Sequence, residues 1–482
     1  MDSVDVNLLD QIQSLYDQNR FLDAYDITKH LWTDPEVVPQ LSIEELVLGG
    51  RLAIRLGGDK VGRALLREAA RQNPDHPQVR YFARHATRVS RDLLSELRDI
   101  AEHPDLASGD EALDASWYAG NAITWALIRD FERADENLEK ATALNQERTW
   151  LFSCMAHVRL LQDRREDALE AATTAWEMSP GMPAAGMALS STLSKMGQIE
   201  DAAKLLMLPE HTGQSIELTR AGVWYLIAMA ERTYPDRHTP WLEHAWDLAS
   251  TFEDRAPLAD RRDKLTFSLC RTDIALLAGD LDVVREEVSK NDWPSFQKML
   301  ASIDKNPDGK TYMVPVTPYF QKHNTCMPTS IATVLSGLGE SIDEDALAKE
   351  LMYGGTVSWA AADWLRAKGY QVCHFVATEP IMRDLLSRNI PFVFCFEWDN
   401  WGHATAAIGL DEPTQMLILH DPSRERWSRH LLDNIGEEEM PLLGNLTKYT
   451  SKPPQWFLDV NTDRIELKSE QLYSSPLFAL AC

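Results

Sequence analysis

Six cysteines are scattered through 482 residues, and no two of them form a CxxC pair. Cys154, Cys270, Cys326, Cys373, Cys395 and Cys482 therefore suggest neither a disulfide framework nor a zinc site, and free thiols are expected. Long apolar runs are missing as well. Stretches such as Val223 to Ala230 fall far short of the roughly 20 residues that cross a bilayer. The acidic, amphipathic opening MDSVDVNLLDQ reads as neither a secretory signal nor a transit peptide. Basic residues are in deficit: 48 Lys and Arg stand against 74 Asp and Glu, a formal net charge of −26. Such a chain repels phosphate backbones, which argues against nucleic acid or an anionic membrane as partner. There is also no P-loop of the form GxxxxGK(S/T). What is present, 44% hydrophobic and 25% charged residues, is the balance of a folded globular protein. The length calls for at least two domains. A cytoplasmic chain with protein partners is expected.

Residues 1–300 carry a helical pattern almost throughout, with a repeat inside it. FERA, REDA and IEDA end at Ala134, Ala168 and Ala202, 34 residues apart, each after a helical segment and a polar turn. Ala122 and Ala156 keep the same phase, as do Ala141 and Ala175. Small residues recurring on both helices of a unit are what close antiparallel packing of helical hairpins requires. Asp114 to Leu206 resembles the tetratricopeptide repeat, and hairpins of the same kind are expected on both sides of it. The resemblance implies an α-solenoid with a concave face that binds a protein or peptide; a plain scaffold is the alternative. Trp117, Trp125, Trp150, Trp176 and Trp224 fall at helical spacing and are expected to fill the interhelical core.

Three prolines and a PDG turn at Pro307 to Gly309 mark a change of composition, and residues 301–312 are expected to be a linker. Beyond it the pattern is mixed. Helices are expected near 343–353, 358–368 and 379–388, and strands at YQVCHFV, IPFVFCFEW, HATAAIGL and QMLILHD.

The richest stretch is YFQKHNTCMPTSIATVLSGL, Tyr319 to Leu338. Ile331, Val334, Leu335 and Leu338 fall on one face of a helix, and Pro328 suits a first helical turn. Cys326 therefore sits at or just before the helix start, where unpaired N–H groups and the dipole favour a thiolate. The Gln321 amide is a candidate donor to a developing oxyanion. His403 opens a strand after Gly402, and Asp421 ends the next strand. Antiparallel pairing of those strands would bring a base and an orienting acid together. His323 and His420 are weaker candidates, since His420 must face away from the Asp421 side of its strand. His403, His420 and Asp421 lack zinc-ligand spacing, and neither metal nor cofactor is expected.

The combination of YFQ, then Cys-x-Pro-x-Ser, then GHA with IGLD, then DPS is similar to the papain-fold cysteine peptidases of the bacteriocin-processing, double-glycine leader peptidase family. The likeness covers about Met313 to Ser428 and implies an α+β papain-like domain, expected over residues 313–435, in a bacterial protein. It implies Cys326 as nucleophile, His403 as general base, Asp421 as orienting acid and Gln321 in the oxyanion hole. Met327 stands where that family has glycine, and its side chain is expected to crowd the oxyanion hole or to line a substrate subsite. Trp398 and Trp401, beside Asn400, are candidate cleft walls or a packed turn. The implied activity is thiol proteolysis of a protein or peptide substrate, with the solenoid recruiting that substrate or a regulator. Deamidation, acyl transfer and isopeptide cleavage use the same groups, and a non-catalytic interaction scaffold is the other alternative. Residues 436–482 read as a tail: an extended KPPQW, short strands at WFLDV and RIEL, and a helical hairpin beginning at SEQLYSSPLFALAC. That hairpin suggests a solenoid resuming beyond Cys482.

Overall fold

The computed structural model describes residues 6–432 except 33, 35, 88–92, 145–147, 208–214, 291–292, 353–355, 357 and 399–400, together with the strand backbones 440–442, 445–449 and 477–481. The chain divides into two compact units. The first holds Met1–Met229 with Pro240–Phe267, and the second holds Ala230–Thr239 with Ser268–Cys482.

The first unit is helical, and its repeat follows the small residues. Helices Glu111–Leu127 and Phe131–Leu144 form one hairpin, Thr149–Leu161 and Arg165–Met178 the next, and Pro183–Lys195 and Ile199–Met207 a third. Ala122, Ala134, Ala141, Ala156, Ala168, Ala175 and Ala202 are all wholly buried, because only a methyl group fits where two helices approach closely. The turn after each leading helix contains one residue with positive φ: Arg129, Asp163 and Gly197, again in phase. Such a residue reverses the chain at a helix end and frees the last carbonyls to accept the N–H groups that follow. Trp117 is buried, and Trp125, Trp150 and Trp176 are half-buried against the same cores, as their spacing implied.

The second unit is built on a sheet in the order β2-β9-β3-β4-β5-β6. Its strands are β1 (Thr311–Met313), β2 (Gln371–Phe375), β3 (Phe392–Trp398), β4 (Trp401–Asp411), β5 (Met416–His420) and β6 (Trp427–Leu431). A hairpin of β7 (Met440–Leu442) and β8 (Asn445–Tyr449) follows, and then β9 (Leu477–Ala481). Strands β3 to β6 are an antiparallel meander, whereas β9 runs parallel to both β2 and β3. Helices Cys326–Gly337, Glu344–Leu351 and Ser358–Ala367 cover one face through Ile331, Val334, Leu335, Leu347 and Leu365, which meet Val393, Ala404, Ala406 and Ile408. Helix Glu379–Ser387 covers the other through Met382, Leu385 and Leu386, which meet Phe392, Phe394 and Leu417. Phe392 and Val393 thus sit on opposite faces, as a period of two demands.

Two expectations change. Strand β1, inside the stretch read as linker and its edge, pairs with the Gly409–Asp411 end of β4. Gly409 allows this, since a Cβ there would stand 2.2 Å from the Met313 sulfur. Three residues are too few to show a strand period. Leu477–Ala481 is a strand where a helical hairpin was expected, a run of five apolar residues being ambiguous between the two. Residues 450–476, with KPPQW and RIEL, lie outside those described. The division of the chain places Ala230–Thr239 and everything from Ser268 in the sheet unit, whereas composition alone draws a boundary near residue 300. That unit holds a buried charge cluster. Arg426 and Arg429 pair with Asp273, Arg429 at 2.8 Å, and Glu231 lies 3.9 Å from both. In the sequence those four look like ordinary surface charges.

Candidate active site

The Cys326–Gly337 helix begins at the cysteine itself, with Thr325 as its N-cap residue. Asn324 adopts a positive φ of 58°, a conformation asparagine tolerates, and turns the chain into the helix. Two bonds fix the helix start. Thr325 Oγ1 accepts from the Lys322 N–H at 2.8 Å, and buried Ser330 Oγ donates to the Ala404 carbonyl at 3.0 Å. The second fastens the helix to β4 one residue past His403.

His403 and Asp421 come together as adjacent antiparallel strands. His403 Nε2 lies 2.9 Å from Asp421 Oδ1. Nε2–H donates to the carboxylate, and the same ring shares a hydrogen bond with the Cys326 thiol. Asp421 is held in turn by its own loop. Its Oδ1 accepts from the Ser423 N–H at 2.9 Å and from Ser423 Oγ at 2.7 Å, and Arg424 Nε lies 3.5 Å from Oδ2.

The electrostatics follow from this geometry. Burial pushes the Cys326 thiol up, but the His403 bond and charge, with the N–H groups of Ala404 and Met327, outweigh it and leave the thiol below its ordinary value. Burial pulls His403 down, yet Asp421 and Cys326 hold it up at about 9. Burial raises Asp421, and His403 and Ser423 more than reverse that, so the carboxyl stays well below its usual range. The ring and the sulfur thus shift one another in the directions that favour a thiolate beside an imidazolium.

Gln321 stands beside this group: its N–H donates to the Pro422 carbonyl at 2.9 Å, next to Asp421. His420 is wholly buried and reaches a different partner from its neighbour, its Nε2 lying 3.1 Å from the Tyr319 carbonyl oxygen. Burial and the charge of Arg232 hold it down at about 4 despite that bond, so it is a neutral donor. His323 is exposed on the loop before the helix. Met327 is 6% exposed and packs among Ile331, Ala404 and the helices of that face. A first-turn residue on the sheet side of the helix is turned into the core. The side chains of Trp398 and Trp401, and all of Asn400, lie outside the described residues. Among the described residues no cluster of three His, Cys, Asp or Glu could hold a metal ion. Sequence reasoning missed Ser423 and Ser330; the DPS turn was a signal for the first, and nothing local signals the second.

Residues 313–435 match the Peptidase_C39 like family, and residues 159–221 match the Tetratricopeptide repeat family. No curated protein matches the chain. Among solved structures it is similar to the APC/C hetero-tetramer Cut9-Hcn1 at 12% identity and a TM-score of 0.39, covering 56% of this chain and 48% of that one. It is also similar to pilF of Pseudomonas aeruginosa, at 12% identity and a TM-score of 0.28, covering 52% of this chain and 89% of that one. A third is a thermophilic TPR protein of Thermus thermophilus, at 13% identity and a TM-score of 0.27, covering 48% of this chain and 98% of that one.

Proposed function

We propose, taking as premise a Peptidase_C39-like domain downstream of tetratricopeptide repeats, that this protein is a cysteine peptidase whose repeats recruit a protein substrate or regulator. The observation that carries the reading is that one ring, His403, meets both the Asp421 carboxylate, at 2.9 Å from Nε2, and the thiol at a helix start. His403 takes the Cys326 proton, and the thiolate attacks the carbonyl carbon of a peptide bond. The displaced electron pair settles on oxygen, and that oxyanion accepts hydrogen bonds from the Gln321 amide and the Cys326 backbone N–H. Collapse expels the amine, which takes the proton from His403, and leaves a thioester. Water, deprotonated by the same imidazole, hydrolyses it and restores the thiol. Asp421 keeps the ring in one tautomer throughout.

Peptide hydrolysis is the net reaction, and a reducing, cytoplasmic setting suits it, because the described cysteines are all free thiols. Among the described residues no helix is long and apolar enough to cross a membrane.

Intact-mass spectrometry with dilute iodoacetamide at about pH 6, where an ordinary thiol of pKa about 8.5 reacts slowly, tests the reading. A single fast adduct is expected on the native protein, absent in Cys326→Ala and slow in His403→Ala. Labelling of Cys326 no faster than the other cysteines would sink it. Ammonia release from a glutamine peptide without chain cleavage would replace proteolysis by deamidation.

A further inference from the structure

Glu231 and Arg232 end the helix Ile216–Thr233, well upstream of the residues that match the peptidase family. Both belong to the sheet unit. Arg232 Nη1 donates to the Glu425 carbonyl at 3.3 Å, and its guanidinium lies 5.7 Å from the centroid of the Phe320 ring. Glu425 is in the loop that begins with Asp421, and Phe320 directly precedes Gln321. Phe320 also meets His420 edge to face, their centroids 5.9 Å apart, while His420 holds the Tyr319 carbonyl. With the Gln321 N–H on the Pro422 carbonyl, segment 319–321 and loop 421–425 brace one another, and Arg232 grips both. A guanidinium suits this task because its planar cation serves a carbonyl at its edge and an aromatic ring at its face. Its own backbone is anchored one residue earlier, where Glu231 Oε2 accepts the Trp427 N–H at 2.8 Å at the far end of the same loop.

We propose that Arg232 is a positioning residue for Gln321: through Phe320 and the Glu425 carbonyl it sets where the Gln321 amide stands relative to the Cys326 thiol. The proposal rests on the peptidase reading, with Gln321 as oxyanion donor.

The test uses the full chain and N-acetylglycinal, a small aldehyde. Cys326 Sγ adds to its carbonyl carbon, the C–S bond forms as S–H breaks, and the carbonyl π pair moves to oxygen. That oxygen takes the thiol proton by way of His403, so nothing leaves and nothing is oxidised. The hemithioacetal oxygen occupies the oxyanion position, so aldehyde affinity reports the donors, whereas the iodoacetamide rate reports only the thiolate. Affinity is read as protection of Cys326 from iodoacetamide. Arg232→Met, which keeps the apolar stem, is expected to weaken the aldehyde about tenfold while the alkylation rate stays as in wild type. Arg232→Lys recovers part of the loss. Arg232→Met combined with Gln321→Ala is expected to bind no more weakly than Gln321→Ala alone, since one residue acts through the other.

Parallel loss of alkylation in both Arg232 variants, additive losses in the double variant, or unchanged aldehyde affinity would each overturn the proposal. A wild-type protein that labels slowly and ignores the aldehyde would instead overturn the peptidase reading, and the positioning role with it.

Discussion

Asp421 keeps its charge in a place that water hardly reaches, and it does so because three donors converge on one of its oxygens. The carboxylate in turn lifts His403 above its ordinary value near 6.5, to about 9. A group raised in this way stabilises the fold fully below the unfolded value, and the contribution disappears as pH climbs through the folded one. In Asp421→Asn the melting temperature is therefore expected to fall well below wild type at pH 6 and to approach it at pH 10. The imidazole of that variant is expected to titrate nearer its ordinary value, which proton NMR of the ring would read directly. A gap that widens with pH would contradict the pairing. At this scale the sequence was legible wherever a motif carries chemistry in its spacing, as at Cys326, His403 and the DPS turn. The burial of Met327 was not legible, because a first-turn residue can face solvent or sheet, and only the docking of the helix decides which.

The helix that begins at Cys326 depends on a bond to a strand far along the chain. Ser330 Oγ donates to the Ala404 carbonyl at 3.0 Å in a wholly buried position. Removing that donor in Ser330→Ala is expected to cost about 1–2 kcal/mol in urea unfolding, because the carbonyl is left without it and away from water. Cys326 alkylation is expected to slow in the same variant as the thiol loses its register with His403. The repeat helices make the opposite demand, for absence of bulk. Ala168 is wholly buried between helices, and Ala168→Leu is expected to lower stability by about 1–3 kcal/mol through overpacking. Its iodoacetamide rate should match wild type. The helices and four of the strands could be read from period and punctuation. Strand β6 could not, since WSRHL places Arg429 and His430 in positions that are 4% and 3% exposed, where a sequence reading expects water.

At the scale of the molecule, the partner of those buried arginines lies where the sequence suggested only more solenoid. Asp273 binds both Arg426 and Arg429, and all three are nearly without solvent contact. Asp273→Asn leaves two guanidiniums facing one distant carboxylate, Glu231, and is expected to destabilise the protein by about 3–5 kcal/mol. Urea unfolding followed by far-UV signal and by Cys326 labelling would show this; an unchanged midpoint would mean that the cluster contributes nothing. A boundary drawn by composition, at the prolines and the PDG turn, is blind to such pairing, because charges distant in sequence carry no local mark of who neutralises them.

The same cluster has a consequence for how this architecture can be inherited. A segment copied by recombination along the family boundaries, residues 313–435, would carry Arg426 and Arg429 into its new host without Asp273 or Glu231. Such a transplant would arrive with two arginines stripped of the carboxylates that neutralise them here. The heritable unit is therefore larger than the recognisable one, and the helices ahead of the sheet must travel with it or be replaced by others that supply carboxylates at the same two points.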